Sequence, residues 1–318
     1  MRRWESRSRR RHPTEYRFCA LPTLLALLLG VASGGCSPRA YLVSRMANVM
    51  SSGGEIFSAD DDPELVREAV PFALKAEEYV LAQDPAHRGL LLSLARGFAQ
   101  YASAFVLQDA LEETDRERGD AGRERSKRLL LRAKEYGMRG LEAAHSGFGK
   151  RMETDPQGAA AIAGREDVPL LFWTAASWSL AISLSGGDPS LLADLPRCES
   201  LMRRALALQE DYDHGVIHEY FIAFEGGRPE AMGGSLAGAK RHFERAMELG
   251  GGKRISPLVT FAETVSVRTQ NREEFRGLLS RALAFDVRGE APEFRLANLL
   301  AQRKARWLEG RGDELFLE

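Results

Sequence analysis

Apolar residues recur three and four positions apart through most of this chain. Leu91, Leu94, Ala95, Phe98 and Ala102 are one such run, and that spacing places all five on a single helix face. The alternation that marks a half-buried strand is nowhere sustained, and no Asn-Gly or Asp-Gly hairpin turn occurs. Leu, Ala, Glu and Arg, all strong helix formers, dominate the pattern. The expected class is all-α. The periodicity predicts helices over 64–82 and 88–108, over 123–136 alone, over 168–185 and 190–209, over 213–225 and 235–249, and over 255–267 and 271–285. A last helix over 292–308 closes the series.

Four segments repeat one another: LLRAKEYG at 130–137, MRRALALQ at 202–209, ERAMELGG at 244–251 and SRALAFDV at 280–287. They share Ala133, Ala205, Ala246 and Ala282, at intervals of 72, 41 and 36 residues. Those intervals approach two, one and one units of a helix-pair repeat of about 34 residues. Ala239, Phe243 and Ala246 place small and aromatic residues on one face, as stacked helix pairs require for close approach. The architecture expected is a tetratricopeptide-like helical-hairpin solenoid over 63–318. Two stretches interrupt it. Between Asp109 and Arg128, 13 of 20 residues are charged, which predicts a solvated helix end and loop. Residues 145–167, with Gly147, Gly149, Pro156, Gly158 and Gly164, read as a surface insertion or as a lid or subunit contact.

The first 35 residues have a different pattern. Seven arginines precede an apolar run from Phe18 to Ala32, which closes on Ser33-Gly34-Gly35-Cys36-Ser37. A basic start, a short apolar middle and small residues at the end are the three parts of a secretory signal. Fifteen residues fall short of the roughly 20 that a membrane-crossing helix needs. A cysteine after small residues suggests a lipobox, with residues 1–35 removed, Cys36 lipidated, and 36–62 forming a linker and short helix. Cleavage near Ala32, giving a soluble exported protein, is the alternative. The expected location is the periplasm, lipid-anchored, with Ser37 favouring the outer membrane.

Charge narrows the partners. The leader carries seven of the 44 basic and two of the 45 acidic side chains, so the remainder has a formal charge of −6. Nucleic acid is not an expected partner, because its binding rests on neutralising phosphates with Lys and Arg. Cys198 is the one cysteine outside the leader and Cys36, and it lies in an apolar-periodic segment that predicts a buried core residue.

Candidate chemistry is sparse. His214 and His218 are four apart, and Glu225 or His242 would have to complete a metal site through tertiary contact. His218-Glu219 lacks the second histidine of a zinc-protease helix, since Ile222 stands there. Gly250-Gly251-Gly252-Lys253 is followed by Arg254 where a phosphate loop needs Ser or Thr, and it reads as a helix C-cap. No catalytic residues, metal or cofactor are expected. Trp173 and Trp178 sit in a helix apolar nearly all round, either as core or lining an apolar cavity or channel. His218, Glu219, Tyr220 and Glu225 would face the groove of the stack. Asn298 and Gln302, on a polar stripe of the last helix, are read either as further ligand- or channel-lining residues or as the solvated cap of the solenoid.

The stretches AKEYGMRGLEAAHSGF (133–148), EDVPLLFWTAASWSLAISLS (166–185), IHEYFIAFEGGRPEAMGGS (217–235) and RLANLLAQRKARWLEGRGDELFLE (295–318) carry a resemblance. From Tyr41 to Glu318 the chain resembles the TRAP transporter T-component (TatT) lipoproteins. The resemblance implies a periplasmic accessory subunit that docks the solute-binding protein of a tripartite, ATP-independent transporter. It also implies trimeric assembly, a channel through each protomer, and a small hydrophobic or organic-acid ligand. Two other classes stay open at this stage: a repeat scaffold in outer-membrane assembly, and a metal hydrolase using His214, His218 and Glu225.

Overall fold

The structure, a computed structural model, describes residues 38–52, 59–289 and 291–317. Cys36 and the leader lie outside the described residues. Apart from the first residues of helix α1 (Pro38–Ser52), every described residue belongs to one compact unit, Val43–Glu318. The described residues are all-α, with no strand among them.

Local chemistry sets the helix ends. Helix α2 (Pro63–Leu81) starts where Asp62 Oδ1 accepts from the Glu64 and Leu65 amides, at 3.1 and 3.0 Å, with Pro63 at its first position. Helix α3 runs Arg88–Glu112 and contains a π turn at Ala102–Leu107. It is long and apolar enough to cross a membrane by length and composition, yet its apolar residues are spent on contacts with α2, with helix α4 (Arg116–Ala144) and with helix α7 (Val168–Ser183).

Helix α4 corrects the expectation for the charged stretch. The loop after Asp109 is only Glu113–Asp115, and the Asp115 side chain caps α4 at the Arg118 amide, 2.9 Å away. The charged residues from Arg116 to Arg128 form the first turns of that helix, laced by pairs such as Lys127–Glu124 at 2.6 Å. Composition alone suggested a loop because the buried stripe is narrow there, with Gly119 and Ser126 buried instead of large apolar residues.

The stretch 145–167 is likewise not a surface insertion. It folds into helices α5 (Phe148–Thr154) and α6 (Pro156–Ala161), whose Phe148, Met152, Ala159 and Ala160 are at most 2% exposed in the main core. Buried Asp167 fastens it to α3: it accepts from Arg88 at 2.5 Å, from the Gly164 amide at 2.8 Å, and pairs with His145 Nε2 at 2.8 Å.

The remaining helices are α8 (Leu195–Leu208), α9 (Val216–Gly226), α10 (Leu236–Leu249), α11 (Ser256–Phe261, continued by a π turn Ala262–Ser266), α12 (Arg272–Ala284) and α13 (Arg295–Gly310). Each packs on its predecessor from α7 onward, and α13 returns to α2. Ion pairs hold this return: Arg303 binds Asp109 at 2.8 Å and Glu112 at 2.5 Å, and Arg67 of α2 shares Asp109 at 2.5 Å. The four repeated alanines, Ala133, Ala205, Ala246 and Ala282, are at most 2% exposed, as close helix approach demands.

Gly137 marks a tight crossing, between α4 and α7. A methyl placed there would collide with the Thr174 hydroxyl and lie 3.3 Å from the Thr174 Cα. Gly137→Ala ordinarily gains about 0.5–1 kcal/mol inside a helix. Here it is expected to cost about 1–2 kcal/mol from overpacking, seen as a lower urea midpoint with an unchanged slope.

Candidate functional site

Where α13 meets α2 and α3, the helices line a partly open cavity of about 700 Å³. Its walls come from α1, α2, α3, α7, α9, α11 and α13, and Val66, Leu74, Phe105, Leu180, Val259 and Leu300 give it an apolar surface. That size is within the range of small-molecule pockets. Both π turns belong to helices that wall it, and Ser103, Ala104, Phe105 and Leu107 of the first turn line it directly. An inserted residue re-aims the side chains of a helix, and such turns are frequent at functional sites.

Polar groups lie at two places on the wall. On the α9–α11 side, Glu219 accepts from Ser256 at 2.8 Å and Thr260 at 3.2 Å, and pairs with Arg254 at 3.4 Å. Arg254 also reaches Asp213 at 3.3 Å, and these two carboxylates raise its pKa against the effect of burial. Lys304 of α13 is paired with Glu263 at 2.5 Å. On the α2–α3 side, Glu77 is buried, and its Oε1 accepts from Ser93 at 3.0 Å. Burial pushes this carboxyl up to about 7, against the Ser93 hydrogen bond and the charge of Arg96. Ser93, Arg96 and Gln100 are spaced three and four apart on α3 and all face the cavity.

The residues singled out from sequence divide. Trp173 and Glu219 line the cavity. Trp178 does not; it is 3% exposed, in a closed cluster with Ile182 and Cys198, under the Lys134 ammonium at 4.4 Å. Burial pushes the Cys198 thiol up to about 12. Tyr220 hydrogen-bonds Ser179 at 2.8 Å and stacks on Phe224.

Asn298 and Gln302 are buried and serve the backbone. Asn298 accepts from Ile255 N and donates to Lys253 O, while Gln302 donates to the carbonyls of Ala282, Leu283 and Phe285 at the end of α12. Neither lines the cavity, and the polar stripe of the last helix is not solvated at these positions.

His214 and His218 do not share a helix face, because α9 begins only at Val216. His214 has a φ of 55° and packs edge-on against Phe294. His218 instead meets His242, with their Nδ1 atoms 2.8 Å apart. One ring must donate and the other accept, so the pair carries at most one proton at that contact. His242 is lowered to about 4 by burial and by its neighbours His218, Arg241 and Arg203. Glu225 lies 3.9 Å from His242 and 3.8 Å from Arg203, and its pKa is raised by burial. No group of three or more metal-ligating side chains occurs among the described residues.

Sequence reasoning missed Glu77, Ser93 and Arg96. The available signal was a carboxylate on the apolar face that carries Val66, Val70 and Leu74, opposite three polar residues in helical register on an otherwise apolar helix.

The fold and the cavity together define an all-α protein with an apolar cavity between its helices and charged groups in the cavity wall. The chain belongs to the TRAP transporter T-component family, whose model matches residues 59–316. It is also similar to an uncharacterized protein of Treponema pallidum (strain Nichols), 30% identical over 269 residues that cover 83% of each chain. The family is one of transport accessory subunits.

Proposed function

We propose that this protein is the periplasmic, lipid-anchored accessory subunit of a TRAP transporter, and that it docks the solute-binding protein and holds a small hydrophobic or organic-acid ligand. The observation that carries this reading is the apolar cavity of about 700 Å³ in a chain of the T-component family. Packing of each helix on its predecessor, with small alanines at the crossings, supports a tetratricopeptide-like stack. A rigid stack offers a partner a large surface at little ordering cost. An anchor at Cys36 would raise the frequency of encounters with that partner. The cavity would then be a channel segment through which ligand passes without meeting water. Trimeric assembly follows from the resemblance alone.

Affinity capture of the tagged protein from native envelopes tests the docking reading. Stoichiometric recovery of a TRAP solute-binding protein is the expected result. Recovery of barrel-assembly components in its place would favour an outer-membrane scaffold and end the transport reading. Cys36→Ser is expected to move the protein from the membrane fraction to the soluble periplasm.

A further inference from the structure

We infer that Arg96, beside Glu77 and Ser93, seats the carboxylate head of a single-headed acid whose apolar tail lies along the cavity wall. This rests on the reading of the cavity as a ligand chamber and specifies which ligands it takes. Five charged side chains line the cavity: Glu77, Arg96, Glu219, Arg254 and Lys304. Three of them are already satisfied. Lys304 is paired with Glu263, Arg254 with Glu219 and Asp213, and Glu219 holds two hydroxyl donors besides. The other two are not. Arg96 makes no hydrogen bond or ion pair among the described residues, and Glu77 Oε2 is buried without a hydrogen-bond partner.

An orphaned buried carboxyl oxygen is a costly arrangement, and the half-buried Arg96 guanidinium beside it offers donors that no described protein group takes up. A single carboxylate relieves both at once. It accepts from the fork of Arg96, and a neutral Glu77 donates its Oε2 proton to the same anion. The carboxyl of Glu77 is suited to that role because burial keeps it protonated up to about pH 7. Tyr212, an acidic group within electrostatic reach of Arg96, is pushed up to about 12 by burial and stays neutral. Charge then sets the selectivity. An ammonium would face an unpaired cation, and a second carboxylate would find only Arg254 and Lys304, which are occupied. Apolar lining in the rest of the chamber accepts an alkyl or aryl body.

Displacement of the neutral probe N-phenyl-1-naphthylamine from the exported protein at pH 6 reads this out. Decanoate is expected to displace the probe at least tenfold more tightly than decanol, decylammonium or the dicarboxylate sebacate. Arg96→Gln should lose about tenfold or more for decanoate while holding the probe within twofold, and Arg96→Lys should recover part of the loss. Retained probe binding reports that each variant is folded. If the probe binds but decanoate and decanol compete equally, or Arg96→Gln leaves decanoate unchanged, the carboxylate seat is wrong and the chamber stands. If neither probe nor decanoate binds, both the seat and the chamber reading fall.

Discussion

Glu77→Gln is expected to stabilise the protein by about 3 kcal/mol at pH 8 and by almost nothing near pH 4. The carboxyl is raised from 4.5 in the free chain to about 7 in the fold, first by burial. Below pH 4.5 it is protonated in both states and has no effect. As the pH rises, the unfolded chain ionises while the folded one keeps its proton, so stability falls until about pH 7 and then stays low. Each unit of difference is worth about 1.4 kcal/mol, giving the figure above. Glutamine keeps an acceptor for Ser93 and never ionises. Urea unfolding at the two pH values measures the effect; a variant whose pH slope equals that of the parent would show that Glu77 is not its source.

His242→Gln should act with the opposite sign. The imidazole is lowered from 6.5 to about 4, first by burial and then by His218, so the folded protein resists a proton that the unfolded chain accepts. Stability is therefore complete above pH 6.5 and is lost as the pH falls towards 4. Because the ring is partly exposed, the expected loss is about 2 kcal/mol, and glutamine at this position should abolish it while still bonding His218.

Between pH 4.5 and 6.5 the two groups work against each other. The parent should be nearly flat across that window, Glu77→Gln should expose the acid loss, and His242→Gln should expose the alkaline one. Glu77 and His242 share no hydrogen-bond partner, so the double variant should be flat again and additive. Strong non-additivity would mean that the two sites are coupled through the helices between them.

The helices were legible wherever an apolar stripe ran with a cap at its end. The predicted stretches 64–82 and 235–249 became Pro63–Leu81 and Leu236–Leu249, begun by the Asp62 and Ser235 side chains. Where the stripe thinned, composition misled. The charged half of Arg116–Ala144 has Gly119 and Ser126 on its buried face, because neighbouring α3 leaves no room for larger residues. The Ser126 hydroxyl in fact donates to the Ala102 carbonyl of α3 at 3.0 Å. The glycines of 145–167 suggested a surface insertion, yet Phe148 and Met152 needed burial and carried the segment into the core.

Alone, the sequence determined the helical class, the repeated small residues at helix crossings and the family, because periodicity and local motifs are properties of neighbouring residues. Tertiary structure alone decided which polar groups meet. Ser93 and Arg96 share a helix and could be aligned by eye, but Glu77 reaches them only because α2 folds back on α3. Closure by α13 then converts their common face into the wall of a chamber. In the same way His218 found His242, 24 residues away, and not His214, four away, because the chain turns with positive φ at Asp213, His214 and Gly215 before α9 begins. Helical spacing fixes neighbours only while the helix lasts, and what lies across from a side chain is set by how the helices stack.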